Sequence, residues 1–165
     1  MKKSIVHFFS IVIIFVLTSC KKDNDETPSV SNEQRVESAL NGFVAELIAT
    51  PPNPSDLSDR IRQYLLENPS FFFGSTVTLL DTADLALYSP YWYRSGDSLS
   101  YSDLMDTAYH IDDQAWLRQP IDSGFAIWTE PYFDTGGGNI WMKTRSVPVI
   151  VNGQIVAVAT TDLAL

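Results

Sequence analysis

Glu130 and Asp134 stand four residues apart in a turn-rich segment, and two nearby carboxylates could flank a glycosidic bond as acid and base. Acidic residues are common along the chain, however, and the pair reads as surface or turn-stabilising side chains. Asp112-Asp113 reads in the same way as a solvated helix flank, not as metal ligands. Ser123 and Ser146 have no histidine close by in sequence, so a hydrolytic triad would have to recruit His110 from elsewhere. Gly136-Gly137-Gly138 lacks the Lys-Ser/Thr of a phosphate loop. It reads as a loop leading into a strand, placed to gate a pocket. The single cysteine, Cys20, excludes an intrachain disulfide and a cysteine-based zinc site. These residue types point away from covalent chemistry and from a resident metal or cofactor, and towards binding.

The elements that would carry such a site follow from periodicity. Val36, Leu40, Phe43, Val44, Leu47 and Ile48 trace one helix face, stopped by Pro51-Pro52. A second helix is expected from Ser55, burying Leu57, Ile61, Tyr64 and Leu65 and ending at Asn68-Pro69. Residues 71–80 and 85–93 are β-branched and aromatic and read as strands, with a turn at Ser95-Gly96-Asp97. A short helix is expected over 101–109, then a strand at 125–128 and a long strand over 139–151. Asn152-Gly153 signals a hairpin returning through 154–163. The order is helix, helix, then an antiparallel sheet interrupted by a helical segment: an α+β fold.

A two-residue turn at 152–153 would set Val151 opposite Gln154 and Lys143 opposite Asp162. One face then carries Trp141, Lys143, Arg145, Val147 and Val149 against Val156, Val158, Thr160 and Asp162. The other face holds the small Ala157 and Ala159, which let the long N-terminal helix approach. A bulge near Pro148 would shift this register by one and undo the Lys143–Asp162 pairing.

The chain has 165 residues, with 11 basic and 20 acidic groups and a formal charge of −9. That balance excludes a nucleic-acid binder, which needs clustered Lys and Arg. Hydrophobic content of 45 % is enough for one packed domain. At the N-terminus, Lys2-Lys3 precedes an apolar run over 5–17 that is shorter than the roughly twenty residues of a membrane span. Leu17-Thr18-Ser19-Cys20 resembles the lipobox of bacterial lipoproteins. The resemblance implies a signal peptide over 1–19 and lipidation of Cys20, with the membrane as a partner through that lipid. Residues 20–33 are polar and charged and read as a tether; 34–165 form the domain.

Tyr91-Trp92-Tyr93-Arg94, Asp113-Gln114-Ala115-Trp116, Trp128-Thr129-Glu130-Pro131-Tyr132-Phe133-Asp134, Ser146-Val147-Pro148 and Thr161-Asp162-Leu163 follow one another in order. This succession resembles the Cache (PDC) extracytoplasmic sensor domain. The resemblance implies a long helix beside a PAS-like sheet, with a small ligand between sheet and covering loops. Tyr109, Trp116, Tyr132 and Asp162 fall where the family's amino-acid-binding branch has its aromatic and amine-binding residues. Gln114 replaces an arginine that would clamp a carboxylate, and Leu117 replaces a tyrosine. A neutral amide cannot reproduce the guanidinium fork, which disfavours ordinary α-amino acids.

Two pockets follow. In one, Asp162 with Tyr109, Trp116 and Tyr132 receives a cationic amine. In the other, Lys143 or Arg145 pairs with an anion. The first keeps the family's use of Asp162 and is preferred. The expected product is a lipid-anchored, extracytoplasmic small-molecule-binding domain of the bacterial envelope, without catalysis. It would stand free, since the chain ends where the family domain ends, and would act through a membrane signalling protein. The alternative is an interaction lipoprotein whose pocket is vestigial.

Overall fold

The computed structural model describes residues 29–165. The expected signal peptide, Cys20 and most of the tether lie outside them. Helix α1 (Asn32–Ala49) opens on a capping box: Gln34 N–H donates to Ser31 Oγ, and Ser31 N–H donates to Gln34 Oε1. It buries Val36, Leu40, Phe43, Val44 and Leu47, the face its periodicity predicts. Helix α2 (Leu57–Glu67) buries Leu57, Ile61, Tyr64 and Leu65. Its C-terminal carbonyls would lack partners, and Arg94 supplies them, donating to Leu65 O and Asn68 O.

Strands β1 (Phe72–Leu80), β2 (Ala86–Tyr88), β3 (Pro90–Ser95) and β4 (Ser98–Asp103) follow. Then come α3 (Ala115–Ser123), β5 (Ile127–Trp128), β6 (Tyr132–Phe133), β7 (Trp141–Val151) and β8 (Gln154–Ala164). They form one antiparallel sheet in the order β4-β3-β1-β8-β7-β5, with β2 on β1 and β6 on β7. This is the α+β architecture expected. Among the described residues no helix is long and apolar enough to cross a membrane.

Two expectations are corrected. No helix forms over 101–109. Instead β4 runs to Asp103, after which Asp103 Oδ1 accepts Met105 N–H and Asp106 Oδ1 accepts Ala108 N–H. Such side-chain turns compete with helix. The helix lies later, as α3, and runs through Pro120.

The second correction concerns register. Asn152 and Gly153 have φ of 52° and 82°, the conformation of a two-residue hairpin turn, and Val151↔Gln154 pair beside it. Between Val149 and Ile150 the register shifts by one. Lys143 therefore faces Leu163, and Thr144 faces Asp162. Because side chains alternate, the slip turns β7 over relative to β8. Val147 and Val149, not Met142 and Thr144, share the face of Ala157 and Ala159 beneath α1 and α2. The opposite face carries Thr144, Thr160 and Asp162 and is covered by α3 and the chain leading to it.

Candidate functional site

Asp162, on β8 in the middle of the sheet, is 3 % exposed. Tyr91 OH on β3 donates to its Oδ2 at 2.9 Å, and Thr144 Oγ1 on β7 donates to its Oδ1 at 2.7 Å. With the Thr144 proton so committed, Tyr132 OH on β6 donates to Thr144 Oγ1 at 2.8 Å. Room for Tyr91 comes from β1: a Cβ on Gly74 would stand 2.2 Å from the Tyr91 hydroxyl oxygen.

A second buried carboxylate, Asp134, follows β6 and is 5 % exposed. Tyr109 OH donates to its Oδ1 at 2.8 Å and itself accepts Trp116 Nε1–H at 3.2 Å. Gly138 N–H donates to Asp134 Oδ2 at 2.7 Å, so the glycine run wraps the carboxylate. A Cβ on Gly137 would lie 2.0 Å from that oxygen, which is why the wrap needs glycine.

Tyr91, Tyr109, Trp116, Tyr132, Asp134 and Asp162 all line one cavity of about 10 Å³, close to the room one water needs. Among the described residues no basic side chain lines it. Burial, reinforced by the nearby Asp134 charge, pushes the Asp162 carboxyl up to about 7 despite the Thr144 and Tyr91 hydrogen bonds that favour its ionised form. Burial and then the neighbouring carboxylates also hold the Tyr91, Tyr109 and Tyr132 hydroxyls well above their ordinary range. These hydroxyls remain donors at any physiological pH. The arrangement can stabilise a positive charge strongly.

Two wider clefts adjoin the aromatic wall. One, about 310 Å³, is lined by Gln114, Gln119, Glu130, Trp116 and Tyr132; the other, about 560 Å³, by Asp103, Asp106, Tyr109 and Gly136. Gln114 Nε2 donates to Tyr109 O at 2.9 Å, so its amide holds the wall in place. Leu117 is fully buried in the core beneath it. Among the described residues no group of three or more His, Cys, Asp or Glu side chains converges to hold a metal ion.

The structure thus gathers Tyr109, Trp116, Tyr132 and Asp162 about one cavity and leaves Lys143 and Arg145 on the other face of the sheet. Lys143 Nζ pairs with Glu33 at the start of α1 and lies 5.3 Å from the Trp128 ring centre. Arg145 Nη1 is 3.8 Å from Glu37 Oε1, which also accepts Trp128 Nε1–H at 2.8 Å. These cations fasten α1 to β7, and the register slip is what removes them from Asp162. Sequence reasoning misses Tyr91, Thr144 and Asp134. Tyr91 belongs to a family-like motif without declaring a role, and Thr144 becomes visible only once the slip is known. Asp134 reads in the sequence as a turn residue; it does stabilise a turn, through Gly138, while its other oxygen meets Tyr109.

The sequence profile described as methyl-accepting chemotaxis protein-like, first PDC sensor domain, matches residues 57–165. Among solved structures, the extracellular domain of soHK1S-Z6, described as a histidine kinase, is 29 % identical with a TM-score of 0.69, over 81 % of this chain and 53 % of that one. The ligand-binding domain of the Pseudomonas aeruginosa PAO1 amino-acid chemoreceptor PctC, solved with GABA, is 20 % identical with a TM-score of 0.54, over 80 % and 60 % of the two chains. The ligand-binding domain of the Campylobacter jejuni chemoreceptor Tlp3, solved with L-valine, is 14 % identical with a TM-score of 0.60, over 80 % and 52 %. The chain therefore spans 52–60 % of the length of these structures. A search of curated proteins gives no significant match.

Proposed function

Because the chain belongs to the methyl-accepting chemotaxis protein-like family of first PDC sensor domains, we propose that it is an extracytoplasmic receptor module, lipid-anchored at Cys20, that binds a small cationic amine without catalysing a reaction. One observation carries this reading: two buried carboxylates, Asp134 and Asp162, share an aromatic cavity with no basic side chain among its lining residues. An ammonium group satisfies both the charge and the ring faces. GABA and L-valine, named with two relatives, both bear an ammonium group. The neutral Gln114 favours amines without a carboxylate over α-amino acids. Reach to a membrane signalling protein is part of the same proposal, with the ligand changing the closure of the loops that carry Tyr109 and Asp134.

The docking-lipoprotein alternative draws on the cavity's size, since about 10 Å³ admits no organic ligand while the wall stays closed. The chemistry of the walls argues against it. A pocket kept only for packing gains nothing from two carboxylates, because apolar side chains of similar volume serve a core as well or better. Thermal shift with the purified protein distinguishes the two readings, since a ligand raises Tm as RT ln(1 + [L]/Kd). A panel of monoamines, diamines, quaternary amines, amino acids, dicarboxylates and sugars should stabilise through the amines alone. Stabilisation by dicarboxylates alone would overturn the amine reading, and silence across the panel would favour the docking alternative.

A further inference from the structure

Phe133 and Trp141 are direct partners across the β6–β7 pair, with their rings edge to face at 6.1 Å. They are 46 % and 58 % exposed and belong to neither hydrophobic cluster. Two large aromatics open to water at a sheet edge are costly unless something covers them. Their place in the fold indicates what does. Two residues beyond Trp141, Lys143 pairs with Glu33 in the first turn of α1. Leu165 N–H donates to Trp141 O, and Leu165, Ser31, Glu33 and Lys143 line one cleft. The aromatic pair therefore stands at the end of the domain where the chain enters α1, beside Val30, which is 63 % exposed.

Val30 is only ten residue steps along the chain from Cys20, a reach of at most ~35 Å even fully extended. The opposite end of the domain is acidic. Arg60 reaches Thr50 O and ties the start of α2 to the C-terminal end of α1, and Glu46, Asp56 and Asp59 line the groove there. That end lies about 27 Å along the helix from Ser31.

We propose that the Phe133–Trp141 end is a membrane-contacting surface, with both rings seated at the headgroup level of the bilayer that holds the lipid on Cys20. The proposal rests on the lipid-anchor reading. Trp side chains favour that interface because they are apolar bodies with one polar N–H. The acidic groove at the far end keeps the domain oriented away from anionic headgroups.

The test uses the full-length lipoprotein reconstituted into vesicles of phosphatidylethanolamine and phosphatidylglycerol, with and without brominated acyl chains. Flotation with the vesicles reads the anchor, and quenching of tryptophan emission by bromine reads the surface. The expected result is co-flotation with a quenched component that disappears in Trp141→Tyr and shrinks in Phe133→Ser. Both positions are exposed, so neither variant threatens folding. Co-flotation with no quenching would overturn the membrane contact while leaving the anchor standing. Blue-shifted Trp141 emission without quenching would overturn it in favour of a protein covering the patch. Failure to float would remove the anchor and the proposal together.

Discussion

The sheet has two buried faces built from the same strands, and their chemistries are opposite. On β8, Ala157, Ala159 and Leu163 turn towards α1 and α2, whereas Val158, Thr160 and Asp162 turn towards α3. The helix face is closed by Leu40, Leu47, Ile61, Leu65 and Val149, none with measurable exposure. Its buried interior holds the Tyr64 OH–Thr161 Oγ1 hydrogen bond at 2.8 Å, and its ion pairs, Lys143–Glu33 and Arg145–Glu37, lie at the partly exposed margin. On the other face Thr76 and Thr78 each hydrogen-bond Ser89 and Thr76 N–H donates to Thr160 Oγ1, while a separate group joins Tyr132 to Thr144 and Thr144 and Tyr91 to Asp162. The first face stabilises the fold by removing apolar area from water. The second orders groups that would each prefer water, so its composition answers to a task other than stability.

Truncating the apolar face gives the largest expected effect. Leu47→Ala should cost about 2–5 kcal/mol, read as a lower denaturation midpoint, because the buried site cannot fully collapse around the missing atoms. The folded fraction should bind amine with unchanged affinity, since Leu47 packs on the far side of the sheet. A parallel loss of intrinsic affinity would break the division between the faces.

Asp162→Asn should act in the opposite sense. The folded chain holds the Asp162 proton until about pH 7, whereas an unfolded aspartate releases it near pH 4. The protonated folded form is therefore favoured less and less as pH rises from about 4 to about 7, and the empty protein loses stability across that window before levelling off. A carboxamide at this position cannot ionise, so the variant should melt higher than the parent at pH 8, show a flatter Tm profile between pH 4 and 7, and lose amine binding by tenfold or more. In the parent, an ammonium ligand needs the ionised carboxylate. Its affinity should climb with pH by up to tenfold per unit below about pH 7. An unchanged Tm profile in Asp162→Asn would show that this carboxyl does not titrate in the native state.

What the sequence makes legible is set by how local the determinant is. Asn152-Gly153 fixes its hairpin through two adjacent φ angles, and Ala157 and Ala159 declare a helix-facing surface by their size. The α1 and α2 stripes are read from spacing alone, and the ordered motifs from Tyr91 to Asp162 lead to the PDC family that the profile matches. The slip between Val149 and Ile150 is a single backbone displacement with only Pro148 nearby to hint at it, yet it decides which β7 residues meet Asp162. Asp134 is obscured for another reason. Its hydroxyl partner, Tyr109, lies 25 residues away, and its local role as a turn acceptor explains its presence without a pocket.

The smallest effect is expected at Lys143, where the two faces can be told apart most directly. Lys143→Ala removes a partly exposed ion pair with Glu33 and a contact with the Trp128 ring. Each is worth roughly 1 kcal/mol or less at such a site. A Tm drop of a few degrees at low salt, shrinking as salt screens the pair, should accompany an amine affinity indistinguishable from the parent. An anion-binding pocket built on Lys143 predicts the reverse pattern, with ligand response abolished and stability little changed. Comparing Lys143→Ala with Asp162→Asn in the same ligand panel therefore assigns the binding face by which variant goes silent, even before the ligand itself is known.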